Sequence, residues 1–471
     1  MMILAKNRQY LIDLFKQKKG KHDTGQAKDI LPFGTKKTSA IRNKFNLLIG
    51  EYVRHICRLK LDESIIAQDD NDFEENVFCS NIANNVEFEN EDERFDFIRF
   101  LEQYLFSGDK INPVHPYLFN FIKVDRDLKN ETGKYAQFMS NVLVQREQSI
   151  MDIFENKKSE DILTELILSK MSGVKEDNKV KERAYEPLLP TFSKLYRDDI
   201  VYLSKHKDYF LNSFPLLTHF YMFMYACQII YKFQQYSKAD YKEVKPLYFA
   251  LDWESISKRR SVVDDPFSYR YIKNSKNRLF PHIHAISQIS HLVYEKEIID
   301  EKGIVIPFVP YSVALDRVKQ QGENQEQLFL QELNNWIQDY ASIKNLEKPV
   351  ISNTIEDAFK TLHDCIIQGV SDDVAKKFGD NIQNLASNQF IKNRGSLGQV
   401  LNIKHDFLLL LTAVSVKDKR IPLNELFVEF EKRGVTFDRY SKKEIIVVLD
   451  RLNIIDKKSD SGDAQYVKPI L

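Results

Sequence analysis

The sequence predicts a mainly α protein of several domains, with one small α/β element in the middle and a compact helix-and-strand module at the end. Three observations carry this expectation. Apolar residues recur at helical spacing along most of the 471 residues. Glycine and proline are scarce, at 15 and 14 residues, which excludes a fibrous or low-complexity chain. The stretch 401–471 gives helix, strand and turn signals in a tight succession. The length allows about three domains at ~100–200 residues each.

The elements follow in order. Residues 8–18 place Leu11, Leu14 and Phe15 on one side of a helix. Residues 41–59 do the same with Phe45, Leu48, Ile49, Tyr52, Val53 and Ile56. Residues 93–106 repeat the pattern through Phe97, Ile98, Leu101, Tyr104 and Leu105, and 159–171 read as a further helix. An N-terminal helical domain over 1–171 is expected, and the charged run "SGVKEDNKVKER" at 172–183 reads as a linker or surface loop. A middle helical domain with short strands follows over 184–345. Its stretch "FPLLTHFYMFMYACQIIYKF" has about the length of a bilayer span, but His219, Gln228 and its tyrosines point to a buried core helix and no membrane partner. Leu247 to Leu251 reads as a short buried strand, and "GIVIPFVPYSVAL" at 303–315 as another, confined to an edge or loop by Pro307 and Pro310. Residues 325–340 and 355–367 read as helices, and 346–400 as a helical connector to the end module.

The end module is the most explicit. "HDFLLLLTAVSV" is an apolar helix, and "KRIP" has room for a very short strand. Pro422 suits the first turn of a second helix with Leu423, Leu426, Phe427 and Phe430 on one face, and Gly434 suits its left-handed end. In "YSKKEI", Ser441 and Glu444 have capping-box spacing, with Tyr440 and Ile445 as a hydrophobic staple. Ile445, Ile446, Val448, Leu449 and Leu452 then face inward. "IIDKK", "SDSGD" and "AQYVKPIL" make a closing hairpin. This order spells a winged helix-turn-helix, with the last hairpin as the wing.

In such folds the helix after the turn enters the DNA major groove by its N-terminal end. Arg439, Lys442, Lys443 and Arg451 lie on that helix, and Lys457, Lys458 and Lys468 on the wing strands, as candidate phosphate contacts. Against this, Asp460 and Asp463 sit at the wing tip, and the module is nearly charge-neutral. DNA contact and protein docking both stay open. Charge is uneven elsewhere. Residues 1–60 hold 14 Lys/Arg and 4 Asp/Glu, whereas 61–109 hold 2 and 15. The two blocks either neutralise each other or face different partners, with Lys16, Lys18, Lys19, Lys21, Lys36 and Lys37 as a possible phosphate-following face.

Catalytic signatures are sparse. The four cysteines, Cys57, Cys79, Cys227 and Cys365, are far apart, which argues against a disulfide framework or zinc ribbon and for a reducing cytoplasm. The N-terminus does not read as a signal peptide. "GKHDTGQA" misses a phosphate-binding loop, because Gln26 and Ala27 replace its Lys and Ser/Thr. His282, His284 and His291 read as structural histidines of an apolar helix rather than metal ligands. Asp252 and Glu254 follow a strand and precede Lys258, Arg259 and Arg260, which is the material of a metal-dependent nuclease site. Ile256 occupies the place of the carboxylate expected two residues before the lysine, so a structural ion pair or a partner-binding corner is the preferred reading. No catalytic residue, metal or cofactor is therefore assigned.

The stretches "DDIVYLSKHKDYFLNSFPLLTHFYMFMYACQIIYKF", "PLYFALDWESISKRR" and "RGSLGQVLNI…RGVTFDRYSKKEIIVVLDRLNIIDKKSDSGDAQYVKPIL" resemble the bacterial DptG family, also called DndG, of DNA phosphorothioation-dependent restriction proteins. The resemblance implies a cytoplasmic, non-catalytic subunit acting with DptF- and DptH-like partners in antiviral defence. It implies ATP-driven work in those partners, and it carries over no catalytic residues.

Overall fold

In the computed structural model the chain is mostly helical, 62% helix against 8% strand, and its sheets are small. The structure describes residues 2–35, 41–42, 44–62, 77–107, 110–124, 128–171, 173–177, 184–298, 303–457 and 465–471. Among these, no helix is long and apolar enough to cross a membrane. The chain divides into two compact units. The larger gathers Met1–Asn43, Ala184–Phe192 and Phe220–Ile470, and the smaller gathers Lys44–Arg183, Ser193–His219 and Leu471. The larger unit opens with α1 (Met2–Gln17), which buries Leu11, Leu14 and Phe15.

The smaller unit is built on α2 (Phe45–Cys57), whose Leu48, Ile49, Tyr52, Val53 and Ile56 are buried as their spacing predicts. Gly50 has no room for a side chain, since a Cβ there would stand 2.4 Å from the Ile122 carbonyl oxygen. The buried hydroxyls of Tyr52 and Tyr196 satisfy each other at 2.9 Å, and Tyr196 meets Thr218 at 3.0 Å. A second core lies under α3 (Glu91–Leu105). Asn90 caps this helix by accepting the Glu93 N–H, and Ile98, Leu101 and Leu105 pack beside Leu118, Phe121 and Ile167. The run expected to be structureless is corrected in part. Val174–Glu176 is a strand paired antiparallel with Leu59–Leu61, while 172 and 178–183 lie outside the described residues.

The larger unit takes the part of α4 (Lys207–Phe233) from Phe220 onward, and every residue from Phe220 to Ile230 is buried, which explains a stretch that is apolar all round. Next comes β1 (Leu247–Leu251), with the bounds expected. The helix α5 (Leu279–Leu292) carries the three histidines and is buried throughout. Of the edge strand or loop expected within 303–315, residues 303–310 form the loop. Ile306 makes one isolated bridge, to Ala27, and Tyr311–Gln320 is a helix. The physical reason is that Pro307 and Pro310 lack N–H donors for a ladder, while Pro310 suits the position just before a helix. Then come α6 (Glu323–Ile343), α7 (Ile355–Gly369) and α8 (Asp372–Phe390). Within the expected helical connector, β2 (Ile391–Asn393) and β3 (Gln399–Ile403) are strands rather than helix.

Residues 405–467 complete the unit with α9 (His405–Val416), β4 (Ile421–Pro422), α10 (Leu423–Lys432), β5 (Val435–Thr436), α11 (Arg439–Arg451), β6 (Ile455–Lys457) and β7 (Gln465–Val467). Two sheets organise them. One is three-stranded in the order β6-β7-β4, antiparallel throughout, pairing Ile455 with Val467 and Val467 with Ile421. The other is four-stranded in the order β2-β3-β1-β5. There β1 lies parallel to both β3 and β5, pairing Leu251 with Ile403 and Leu247 with Val435. Strand β1 is thus the centre of the sheet, which explains its near-continuous apolar sequence. Gly434, at φ 83°, turns the chain from α10 into β5 as a left-handed residue.

Candidate functional site

The region of interest is where the start of α11 meets the end of β1. Asp438, not Ser441, caps α11. Its carboxylate accepts the N–H groups of Tyr440 and Ser441. The expected capping box is therefore corrected, and the reason is tertiary. The Ser441 hydroxyl donates instead to Glu254, 2.8 Å away. Glu254 also accepts the Leu251 N–H at 2.9 Å and the Arg260 guanidinium at 2.5 Å. Arg260 reaches Asp438 through Nε and, at 2.8 Å, through Nη2. One buried arginine thus joins two carboxylates and a hydroxyl, clamping the start of α11 to the corner after β1. Burial pushes the Asp438 carboxyl up, but hydrogen bonds from Arg260 and from the Ser441 and Tyr440 amides hold it below the usual carboxylate value.

The expected staple is also corrected. Tyr440 is 49% exposed, and two guanidinium groups lie over its ring, Arg260 at 4.9 Å and Arg439 at 4.8 Å from its centre. Inward burial along α11 is narrower than expected. Ser441, Ile445 and Leu449 are buried, Ile446 and Val448 are half-buried, and Leu452 is exposed.

The candidate nucleic-acid residues fall into three groups. Arg439, Lys443 and Arg451 are exposed along one side of α11, with Val447 between them and Glu444 and Asp450 alongside. Lys442 is half-buried, its ammonium 4.9 Å from the centre of the Phe427 ring, and Lys468 is half-buried after β7. The Lys457 backbone pairs with Gln465 within the hairpin. Lys458, Asp460 and Asp463 lie outside the described residues. In the N-terminal basic stretch, Lys16, Lys18, Lys19 and Lys21 are exposed around the end of α1, while Lys36 and Lys37 lie outside the described residues.

The candidate nuclease carboxylates are engaged by the protein. Asp252 accepts from Lys392 Nζ and Asn402 Nδ2, each at 2.9 Å. The Lys392 hydrogen bond, aided by Asn402 and opposed by burial, holds the Asp252 carboxyl below its usual value. Arg394 ties the same corner from behind, donating to the carbonyls of Leu251, Asp252 and Glu254. Both Glu254 oxygens already accept hydrogen bonds from the protein, so this carboxylate is committed to the clamp.

The three histidines of α5 part company, as an i, i+2 pair on a helix must. His282 stacks on His363 at 3.7 Å and meets the Tyr311 hydroxyl at 3.1 Å. His284 lies against Phe280 at 4.3 Å and His22 at 5.3 Å. The His291 Nδ1 donates to the Ser287 carbonyl, which leaves Nε2 to accept the Gln26 N–H at 3.4 Å. Burial pushes His284, His291 and His363 each down to about 4. Among the described residues no group of three or more His, Cys, Asp or Glu is placed to hold a metal ion. The near-miss phosphate loop is a strap across α5. Ser287 donates to the Thr24 carbonyl, and Lys344 donates to that of Gly20.

Sequence reasoning missed two features here. Lys392 on β2 and Arg394 just after it lie in a stretch that reads as a helical connector, although the glycines of "RGSLGQVLNI" punctuate it. The ion pair expected at this corner is present as Glu254–Arg260, but its extension to Asp438 and Ser441 had no local signal. No family model matches the chain, and no curated protein matches it.

Proposed function

We propose that residues 401–471 form a winged helix-turn-helix, with α11 as the contacting helix and β6–β7 as the wing. We propose further that the protein is a cytoplasmic, non-catalytic subunit of a bacterial DNA phosphorothioation-dependent restriction complex, bridging DptF- and DptH-like partners and touching DNA through α11. The observation that carries this reading is the order α9, β4, α10, β5, α11, β6, β7 with the closing sheet β6-β7-β4. The exposed Arg439, Lys443 and Arg451 supply the phosphate contacts. The resemblance of the sequence to the DptG family supplies the biological setting.

The competing reading is a metal-dependent nuclease at Asp252 and Glu254. The buried clamp on Glu254 and the Lys392–Asp252 pair weigh against it. The test uses the full chain and a fluorescent duplex at several salt concentrations. Replacing Arg439, Lys443 and Arg451 with Glu is expected to weaken binding at least tenfold and to flatten its salt dependence. Affinity equal to that of the unmodified protein would remove α11 from the DNA path. Magnesium-dependent nicking abolished by Asp252→Ala would favour the nuclease instead.

A further inference from the structure

The smaller unit carries a surface of the opposite character. Along one flank of α3, three aromatic rings follow one another: Phe97 to Phe100 at 6.5 Å and Phe100 to Tyr104 at 5.6 Å, with planes 27° and 13° apart. Phe88 extends the row, 5.5 Å from Phe97. Phe97 and Tyr104 are half-buried against the core, while Phe100 stands 45% exposed. A phenylalanine so exposed contributes little to folding, yet here it continues an ordered row. Acidic side chains surround the start of the row. Glu87, Glu89, Glu91, Asp92, Glu93 and Asp96 are all exposed.

Stacked π faces beside carboxylates are complementary to one side chain above all. An arginine guanidinium lies flat on an aromatic ring and forms paired hydrogen bonds with a carboxylate, whereas the compact, strongly hydrated lysine ammonium does the first less well. The same negative charge repels a phosphate backbone. We propose that the α3 face docks an arginine-bearing amphipathic segment of a partner protein. Its guanidiniums would stack on Phe100 and Tyr104 and pair with Asp92 and Asp96. The face is thus a protein-binding surface, separate in chemistry from the basic side of α11.

The experiment titrates the full-length protein with three fluorescein-labelled amphipathic helices, each with Leu along one face at i, i+3, i+4 and i+7 and the other face carrying Arg, Lys or, as a control, Glu. Saturable binding is expected for the Arg peptide, at least fivefold weaker binding for the Lys peptide and none for the Glu peptide. Phe100→Ala keeps every charge and is expected to weaken the Arg peptide at least fivefold with unchanged thermal melting. Asp92→Asn with Asp96→Asn is expected to do the same. Equal affinity in Phe100→Ala would reduce the effect to bulk electrostatics and overturn the proposal. So would a change in sedimentation showing that Phe100→Ala dissolves a self-association of the unmodified protein, since the occupant would then be a second copy.

Discussion

Arg260 and His282 are both buried polar side chains of the larger unit, yet the protein meets the cost of burial in opposite ways. Around Arg260 it retains charge. One guanidinium answers Glu254 and Asp438, the Ser441 hydroxyl donates to Glu254, and backbone N–H groups donate to both carboxylates. Around His282 it gives charge up. The imidazoles of His282, His284, His291 and His363 are held neutral by burial, and nitrogens of His282, His284 and His363 find no protein partner. The difference teaches what each cluster is for. A charged cluster has one good geometry, so it fixes where α11 starts. A neutral stack of rings tolerates several geometries, so it fills the core.

The largest way to break this contrast is Arg260→Leu. It strands two buried carboxylates, and the expected loss is ~3–5 kcal/mol in urea unfolding. Neutralising all three charges together, as Arg260→Leu with Glu254→Gln and Asp438→Asn, should recover most of that loss. A triple variant as unstable as the single one would contradict this account of the clamp.

The second test is pH. The folded-state values of the buried histidines lie below the unfolded value near 6.5. Their contribution is therefore present above pH 6.5 and lost as pH falls through about 4. A loss on the order of several kcal/mol is expected between pH 7 and pH 4.5, read from urea midpoints. The Asp438 carboxyl, also lowered, gives up its share only below the usual aspartate range, so the clamp should fail after the histidine core. A flat profile from pH 7 to 4.5 would mean the rings accept protons in place.

Smaller effects sharpen the comparison. Ser441→Ala should cost ~1–2 kcal/mol through the lost bond to Glu254. Helix content by circular dichroism should stay unchanged, because Asp438 holds the cap. His284→Phe should change stability at pH 8 by less than ~1 kcal/mol and reduce the acid slope, since it removes a proton acceptor whose Nδ1 is unpartnered.

Much of the fold was legible because it is locally encoded. The stretch "LYFAL" between Pro246 and Asp252 reads as a short buried strand and is one, and "HDFLLLLTAVSV" gave α9 with its bounds. The failures share a physical cause. Asp438 and Ser441 are both good capping residues three positions apart, and local pattern cannot rank them. The choice is made by Glu254, 187 residues earlier in the chain. Strands β2 and β3 are short, and the turn between them, with Gly395 and Gly398 at φ 61° and 78°, interrupts the alternation within a helix-rich stretch. The basic residues of α11 and an ion pair at the Glu254–Arg260 corner could be read directly, but the reach of Arg260 to Asp438 and Ser441 could not.

Strand β5 occupies the bend between α10 and α11, and its ladder partner is β1, far upstream. The C-terminal module is therefore not a portable cassette. A fragment cut at residue 400 would leave Val435 without its ladder and Asp438 without its counter-ion, so engineers transplanting this module would have to graft residues 247–260 along with it.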